Sequence, residues 1–299
     1  MKIYDTHSDV FSNLYERTLE GIKDPFRKYH LEAMKQGEIN GGIWVVYSEY
    51  DFNVLEAYKI AYEAFKPYKD NYDVLLGLEG LRNVHTLDDL NEMYNFGVRH
   101  ATLTWNEENH LATGVAGDKD RGLTNLGKEF LDYMYKHHMV IDVSHLNIKS
   151  FYDVLEYMPH NIIASHSNAY TLSDHRRNLN DDQLRLMREV GGYVGAVSAR
   201  NFVSKDPSLQ NTIGLADQII YLGEKIGIDH VMLGLDIMDF LKSYDDHNAN
   251  LDDLRGHMDA QNLIKELMKR NLTKEEIEGI AYNNFLRYKK GIKVNEEII

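Results

Sequence analysis

Two hydrophobic patterns alternate along the chain. Short, nearly unbroken apolar runs lie at residues 2–4, 41–47 (GGIWVVY), 74–78, 100–104 (HATLT), 139–143, 162–164, 193–197 and 231–235. Such runs read as strands covered on both faces, because a half-exposed strand would alternate apolar and polar residues. Between them apolar residues recur at helical spacing. In 54–68, Ala57, Ile60, Ala61 and Ala64 share one face. A helical region begins at Val10, and further helices are expected at 87–96, at 122–137 following Gly122-Leu123-Thr124-Asn125-Leu126-Gly127, and at 148–157, 181–190, 212–226 and 251–270. Thr273-Lys274-Glu275-Glu276 has the capping-box pattern and predicts one more.

Eight strands alternating with helices predict an α/β protein, a single (β/α)8 barrel of the TIM type spanning 1–299, with the helices from about 251 packed on it. Only four prolines occur and no Pro/Gly/Ser-rich linker divides the chain. An open doubly wound sheet would carry a Gly-rich phosphate loop after its first strand. His7-Ser8-Asp9 stands there instead. The hydrophobic share of 43% is enough for a sizeable core, and the net charge of −14 disfavours nucleic acid and anionic membrane surfaces as partners. With no cysteine there is no disulfide, Cys-based zinc finger or catalytic thiol, and a metal would have to be held by His and carboxylate. The first strand at 2–4 predicts no signal peptide, and residues 293–299 offer no apolar tail for a lipid anchor. No run approaches the roughly 18–20 apolar residues of a membrane span. A soluble cytoplasmic protein is the expectation.

Chemistry-bearing residues cluster at the ends of these runs. His7 and Asp9 follow the first, Glu79 the third, His145 the fifth, His166 the sixth and Asp236 the eighth. In a (β/α)8 barrel, catalytic groups come from the C-terminal ends of several strands. Three His and two acids brought to one point have the composition of a two-metal hydrolytic site, and a carboxylate isolated in sequence, such as Glu79, suits a bridging place. Taken singly, Asp5 or Asp9 could simply cap the following helix, and His145 or His166 would more often be a hydrogen-bonded core or surface histidine. It is the ordered set that argues for metal. His137 and His138 fall late in a helix, where a cation suits the dipole. His30, His85, His160, His230, His247 and His257 have no strand-end position, and Asp245-Asp246-His247 reads as a solvated loop. His110 and His175 fall in loops on the expected active face, where substrate contact is open to them. Arg176-Arg177-Asn178 is either a solvated basic turn or an anion clamp near the metals.

With these residues in view the chain resembles the membrane dipeptidase (renal dipeptidase) family of metallopeptidases, from Asp5 to about Arg287. The resemblance is carried by Asp5-Thr6-His7-Ser8-Asp9, Gly77-Leu78-Glu79-Gly80, Gly122-Leu123-Thr124 with Gly127, Ile141-Asp142-Val143-Ser144-His145, Ser165-His166-Ser167-Asn168-Ala169, Arg177-Asn178-Leu179 with Asp181, and Asn284-Phe285-Leu286-Arg287. It implies a two-zinc hydrolase of the amidohydrolase type that cleaves dipeptides, often with a D-residue on the C-terminal side, through a metal-bridging hydroxide. His7 and Asp9 would bind one zinc, His145 and His166 the other, and Glu79 would bridge them. Asp236 would be the acid/base, and Arg177 would hold the substrate carboxylate. Trp105 and Asn106 would line the substrate pocket. The family resemblance also allows a homodimer. Three departures bear on specificity. Trp105 stands where well-studied animal members have a histidine, although some bacterial-type relatives share the tryptophan. Val197-Ser198-Ala199 replaces Asn-Phe-Tyr, and Ile237-Met238-Asp239 follows Asp236 in place of Phe-Asp-Gly. Two alternatives stay open: a related binuclear-metal enzyme acting on another small amide or lactam, and a metal-binding barrel without catalysis.

Overall fold

The computed structural model describes residues 1–47, 50–241 and 249–294. Asp245-Asp246-His247 lies outside them. Eight strands, β1 (Ile3–Ser8), β2 (Ile39–Tyr47), β3 (Asp73–Glu79), β4 (Val98–Thr102), β5 (Val140–Asp142), β6 (Ile162–Ala164), β7 (Tyr193–Ala196) and β8 (Val231–Leu233), form a closed barrel in sequence order. Every neighbouring pair is parallel, and Asp5 opposite Leu233 closes β1 onto β8. The helices are α1 (Val10–Leu19), α2 (Glu32–Gly37), α3 (Val54–Phe65), α4 (Leu87–Phe96), α5 (Asn125–Lys136), α6 (Ile148–Tyr157), α7 (Asp181–Glu189), α8 (Arg200–Val203), α9 (Thr212–Ile226), α10 (Ala260–Leu267), α11 (Lys274–Glu278) and α12 (Asn284–Gly291).

Local signals set most boundaries. Thr86 with Asp89, Asn180 with Gln183 and Thr273 with Glu276 form capping boxes, each satisfying backbone donors that the first helical turn leaves free. The expected helix at 251–270 is much shorter, and only Ala260–Leu267 is α-helical. Leu251 and Leu254 instead form an antiparallel bridge, and Arg255 N donates to Asp259 Oδ2 at 3.0 Å. Leu251 and Leu254 are both fully buried by this turn, so their spacing reflects two anchors of a loop and not a helix face. The strand expected at 100–104 runs Val98–Thr102, and Thr104 already belongs to the loop.

Two apolar cores hold the barrel. One lies between strands and helices and includes Phe11, Trp44, Val46, Leu78, Phe130, Ile141, Phe151 and Leu233. The other fills the barrel's lower interior with Tyr4, Ile43, Val45, Leu75, Val140, Ile163, Tyr193 and Met232, sealed by Phe285 and Tyr288 of α12. Ile43 and Val45 point in while Trp44 and Val46 point out, the two-residue period of a strand. Above this floor the buried side chains are polar: His7, Glu79, Asp142, Ser165 and His166. Two glycines let strands close in at that level. A Cβ on Gly195 or Gly234 would lie 1.9 or 1.8 Å from Ser165 O, so no other residue fits at either place.

Candidate metal centre

The strand ends bring three of the expected donors onto one carboxylate oxygen of a fourth, Glu79. Glu79 Oε1 lies 2.8 Å from His145 Nε2, 3.4 Å from His7 Nε2 and 3.6 Å from His166 Nε2. His145 Nε2 and His166 Nε2 are 2.8 Å apart, and the rings of His7 and His166 lie 3.7 Å centre to centre. Asp236 Oδ1 is 3.9 Å from His7 Nε2. Among the described residues, two groups have donor atoms within 4.8 Å of one another: His7 with Glu79 and His166, and His7 with Asp9 and Asp236. Neither ring nitrogen of the fully buried His7 has a hydrogen-bond partner among the described residues. Leaving both unpaired is costly unless something else occupies them. Buried imidazoles and carboxylates aimed at a common point, with orphaned nitrogens, fit a borderline cation such as zinc.

Strain accompanies this convergence. His145 and Asp236 have φ of 72° and 53°, in the left-handed region that non-glycine residues seldom occupy. Each turns a side chain back over the barrel mouth at a cost of about 1–3 kcal/mol. Asp9 occupies the N-cap position of α1 without capping it, and accepts from Ser12 Oγ at 3.1 Å.

The ionisation pattern follows from burial among mixed charges. Burial would lower His7, but Glu79 beside it outweighs that and raises it to about 10. Burial would raise Glu79, and His7 and His145 hold it far below the carboxylate range. Burial and Arg177 push His145 down to about 4, and burial with His7 puts His166 well below its ordinary value. Burial, assisted by Glu79 and opposed by His7, raises Asp236 to about 6. A bound cation would favour the neutral imidazole and ionised carboxylate forms that ligate it.

Supporting contacts orient the donors. Asn106 Oδ1 is 3.1 Å from His145 Nδ1, which puts the ring proton there and leaves Nε2 free to face the centre. Ser165 Oγ meets His166 Nδ1 at 2.7 Å. Trp105 packs edge-on against Tyr47, 5.0 Å between centroids, and lies 6.1 Å from His145, so it forms an aromatic wall beside that imidazole. Arg177, 5% exposed, sits over the Phe202 ring at 5.7 Å. Its Nη2 is buried without a partner among the described residues, and burial lowers the guanidinium to about 10, still charged at neutral pH. The backbone of Arg177 donates to His175 Nδ1 at 3.3 Å, and His175 stacks on Phe202 at 4.1 Å. His110 is tied to Val84 O at 2.9 Å through Nε2. Val197 pairs both backbone groups with the Asn168 side chain, and Ser198 Oγ donates to Leu235 O at 2.5 Å, so the departing Val197-Ser198-Ala199 segment is fastened to β6 and β8 loops.

Two partners escaped the sequence reading. His100 Nε2 meets Asp142 Oδ2 at 2.9 Å, and His257 Nε2 meets Asp5 Oδ2 at 3.3 Å, all four residues being buried. Burial would raise Asp142, and His100 holds it at about 2. His100 sits inside a strand and His257 inside the misread 251–270 segment, so neither gave a strand-end signal.

The profile of the family described as Membrane dipeptidase (Peptidase family M19) matches residues 54–297. This chain belongs to the membrane dipeptidase family. An uncharacterized dipeptidase of Schizosaccharomyces pombe is 34% identical over 243 residues, covering 79% of this chain and 57% of that protein. Dipeptidase aclJ of Aspergillus oryzae is 31% identical over 217 residues, 71% of this chain and 50% of that protein. The chain thus spans about half the length of these two relatives. A Rhodobacter sphaeroides metallopeptidase, solved with a phosphinate mimic of the dipeptide L-Ala-D-Ala, shares the fold with a TM-score of 0.81 over 97% of this chain and 99% of that one, at 20% identity. Among the described residues, no helix of this membrane dipeptidase family member is long and apolar enough to cross a membrane.

Proposed function

We propose that this chain is a zinc-dependent metallo-dipeptidase, acting in the cytoplasm as a single domain. The observation that carries this is the convergence of His7, His145 and His166 Nε2 on Glu79 Oε1, with the buried Arg177 Nη2 having no partner among the described residues. The first half of that arrangement suits metal, and the second suits a carboxylate. His7 and Asp9 would hold one ion, His145 and His166 the other, with Glu79 between them. Bound there, zinc would polarise the scissile carbonyl and make water acidic enough to supply a nucleophile near neutral pH.

The protein's own groups do the rest. Asp236, half-buried and with its carboxyl raised to about 6, would accept the proton released by the attacking water and hand it to the leaving amine. Arg177 would take the free carboxylate of the substrate in two parallel charge-assisted bonds, fixing the scissile bond over the donors and lowering the entropic cost of reaction. Trp105 and Tyr47 would wall the pocket and exclude water on the His145 side. The substitutions at Trp105 and at Val197-Ser198-Ala199 keep a second reading in play, a related enzyme opening another small amide or lactam.

Zinc-loaded protein, dialysed and analysed for metal, should hold close to two equivalents per chain. The same sample should release free amino acids from L-L or L-D dipeptides. Zinc near zero after loading would remove the metal reading. Two bound zinc ions with turnover only of cyclic amides would move the assignment to the second reading.

A further inference from the structure

Two motif residues have no task in that chemistry: Asp5 and Asp142. Both are fully buried, and their surroundings are built alike. Asp142 Oδ1 accepts from Ser144 N at 2.9 Å and from Ser165 N at 3.0 Å, the residues just before His145 and His166. Its Oδ2 faces His100 Nε2 from the neighbouring strand. Asp5 Oδ1 accepts from His7 N at 3.3 Å and from Leu235 N at 2.8 Å, the second being the residue before Asp236. Its Oδ2 faces His257 Nε2 from the turn leading into α10. In each case one oxygen ties the backbones of two strand ends and the other is held by an imidazole.

Ser144, Ser165 and Leu235 all lie beyond the last ladder residues of β5, β6 and β8. Their buried N–H groups would otherwise lack an acceptor, and the chain turns sharply just after two of them, at His145 and Asp236. We propose that Asp142 and Asp5 are positioning residues, each setting the spacing between two strand-borne side chains of the centre. Asp142 fixes His145 against His166. Asp5 fixes His7 against Asp236. This rests on the metal reading above.

The geometry separates two kinds of substitution. Asparagine keeps one oxygen for the two N–H groups. At position 142 its amide would face His100 Nε2, and His100 can move its proton to Nδ1, which has no partner among the described residues. Leucine keeps the branching at Cγ and removes every acceptor. The experiment measures zinc per chain against a competing chelator of known affinity, with the folding of metal-free protein followed by circular dichroism. Asp142→Leu should weaken one of two bound ions by tenfold or more and leave the other, and Asp142→Asn should stay within about threefold of wild type. Asp5→Leu and Asp5→Asn should repeat the pattern at the second ion. In a His166→Ala background, Asp142→Leu should cost no further metal, whereas Asp5→Leu should remove the remaining ion. A general loss of stability would not show this selectivity. If the leucine chains do not fold, Asp142→Ser and Asp5→Ser, whose hydroxyl is too short to span both N–H groups, are judged by the same criteria. Wild-type affinity in the acceptor-less variants, or equal weakening of both ions by each, overturns the positioning role. Absence of zinc from the wild type overturns instead the metal reading beneath it.

Discussion

Replacing Arg177 tests whether the site recognises a free carboxylate, the feature that separates a dipeptidase from a general amidase. Arg177 is 5% exposed and its Nη2 has no partner among the described residues, so its charge is held ready in a place that water hardly reaches. Breaking a buried charge-assisted pair by removing one side costs roughly 2–5 kcal/mol. The upper end requires an otherwise uncompensated charge. Glu79, Asp236 and Asp142 already favour the charged guanidinium, so the loss belongs toward the lower end. About 3 kcal/mol is then expected, on the order of 10²-fold in kcat/KM. Arg177→Ala and wild type are each assayed on one dipeptide with a free C-terminus and on its C-terminal amide. Wild type should lose about 10²-fold on the amide, Arg177→Ala a similar amount on the free acid, and the two losses should not add because both break the same contact. Arg177→Lys should recover only part, since an ammonium keeps the charge but not the planar fork. Equal cleavage of amide and free acid by the wild type refutes the clamp, and the dipeptidase assignment falls with it.

Three further outcomes are expected. Asp236→Asn should retain zinc by elemental analysis while kcat falls on the order of 10² or more; undiminished turnover takes Asp236 out of proton transfer. Asn106→Ala removes the acceptor at His145 Nδ1 and should weaken zinc binding by roughly 10–100-fold in a chelator titration, and Asn106→Asp should not; unchanged affinity in the alanine variant would show that the 3.1 Å contact does not orient the ring. His30 is buried, with Nε2 3.0 Å from Asn13 Oδ1, and burial together with His257 and Arg17 holds it well below 6.5. The folded state therefore refuses a proton that the unfolded state accepts, so the stability tied to neutral His30 is complete above about pH 6.5 and lost as pH falls below it, by up to about 1.4 kcal/mol per pH unit. Urea unfolding of metal-free protein between pH 7.5 and 5 should show a steeper loss in wild type than in His30→Gln, and identical slopes refute the assignment.

The barrel was legible because its evidence is local. Buried strands leave continuous apolar runs and covering helices leave one-sided spacing, and both survive without knowing what they pack against. Boundaries marked by caps, such as Thr86, Asn180 and Thr273, also lie within four residues of sequence. The 251–270 segment misled because Leu251 and Leu254 satisfy helical spacing while serving as two buried anchors of a turn. Spacing records which residues are buried and not the backbone path between them.

The centre divides along the same line. Placing His7, Glu79, His145, His166 and Asp236 near one another needs only strand ends and a closed barrel, since closure brings all C-terminal ends to one mouth. What fixes their mutual angles is long-range. His257 and Asp5 are 252 residues apart, and His100 and Asp142 are 42 apart. No spacing announces either pair. Local propensity even argues against part of the answer, because φ of 72° at His145 and 53° at Asp236 is a conformation their side chains disfavour. Such residues hold that shape only where the surroundings over-determine it. Here the surroundings are backbone N–H groups gathered by Asp142 and Asp5, one residue before each strained position. On the proposed reading, the motif names the donors in its visible histidines and acids, and would carry the means of aiming them in the two aspartates that precede those donors.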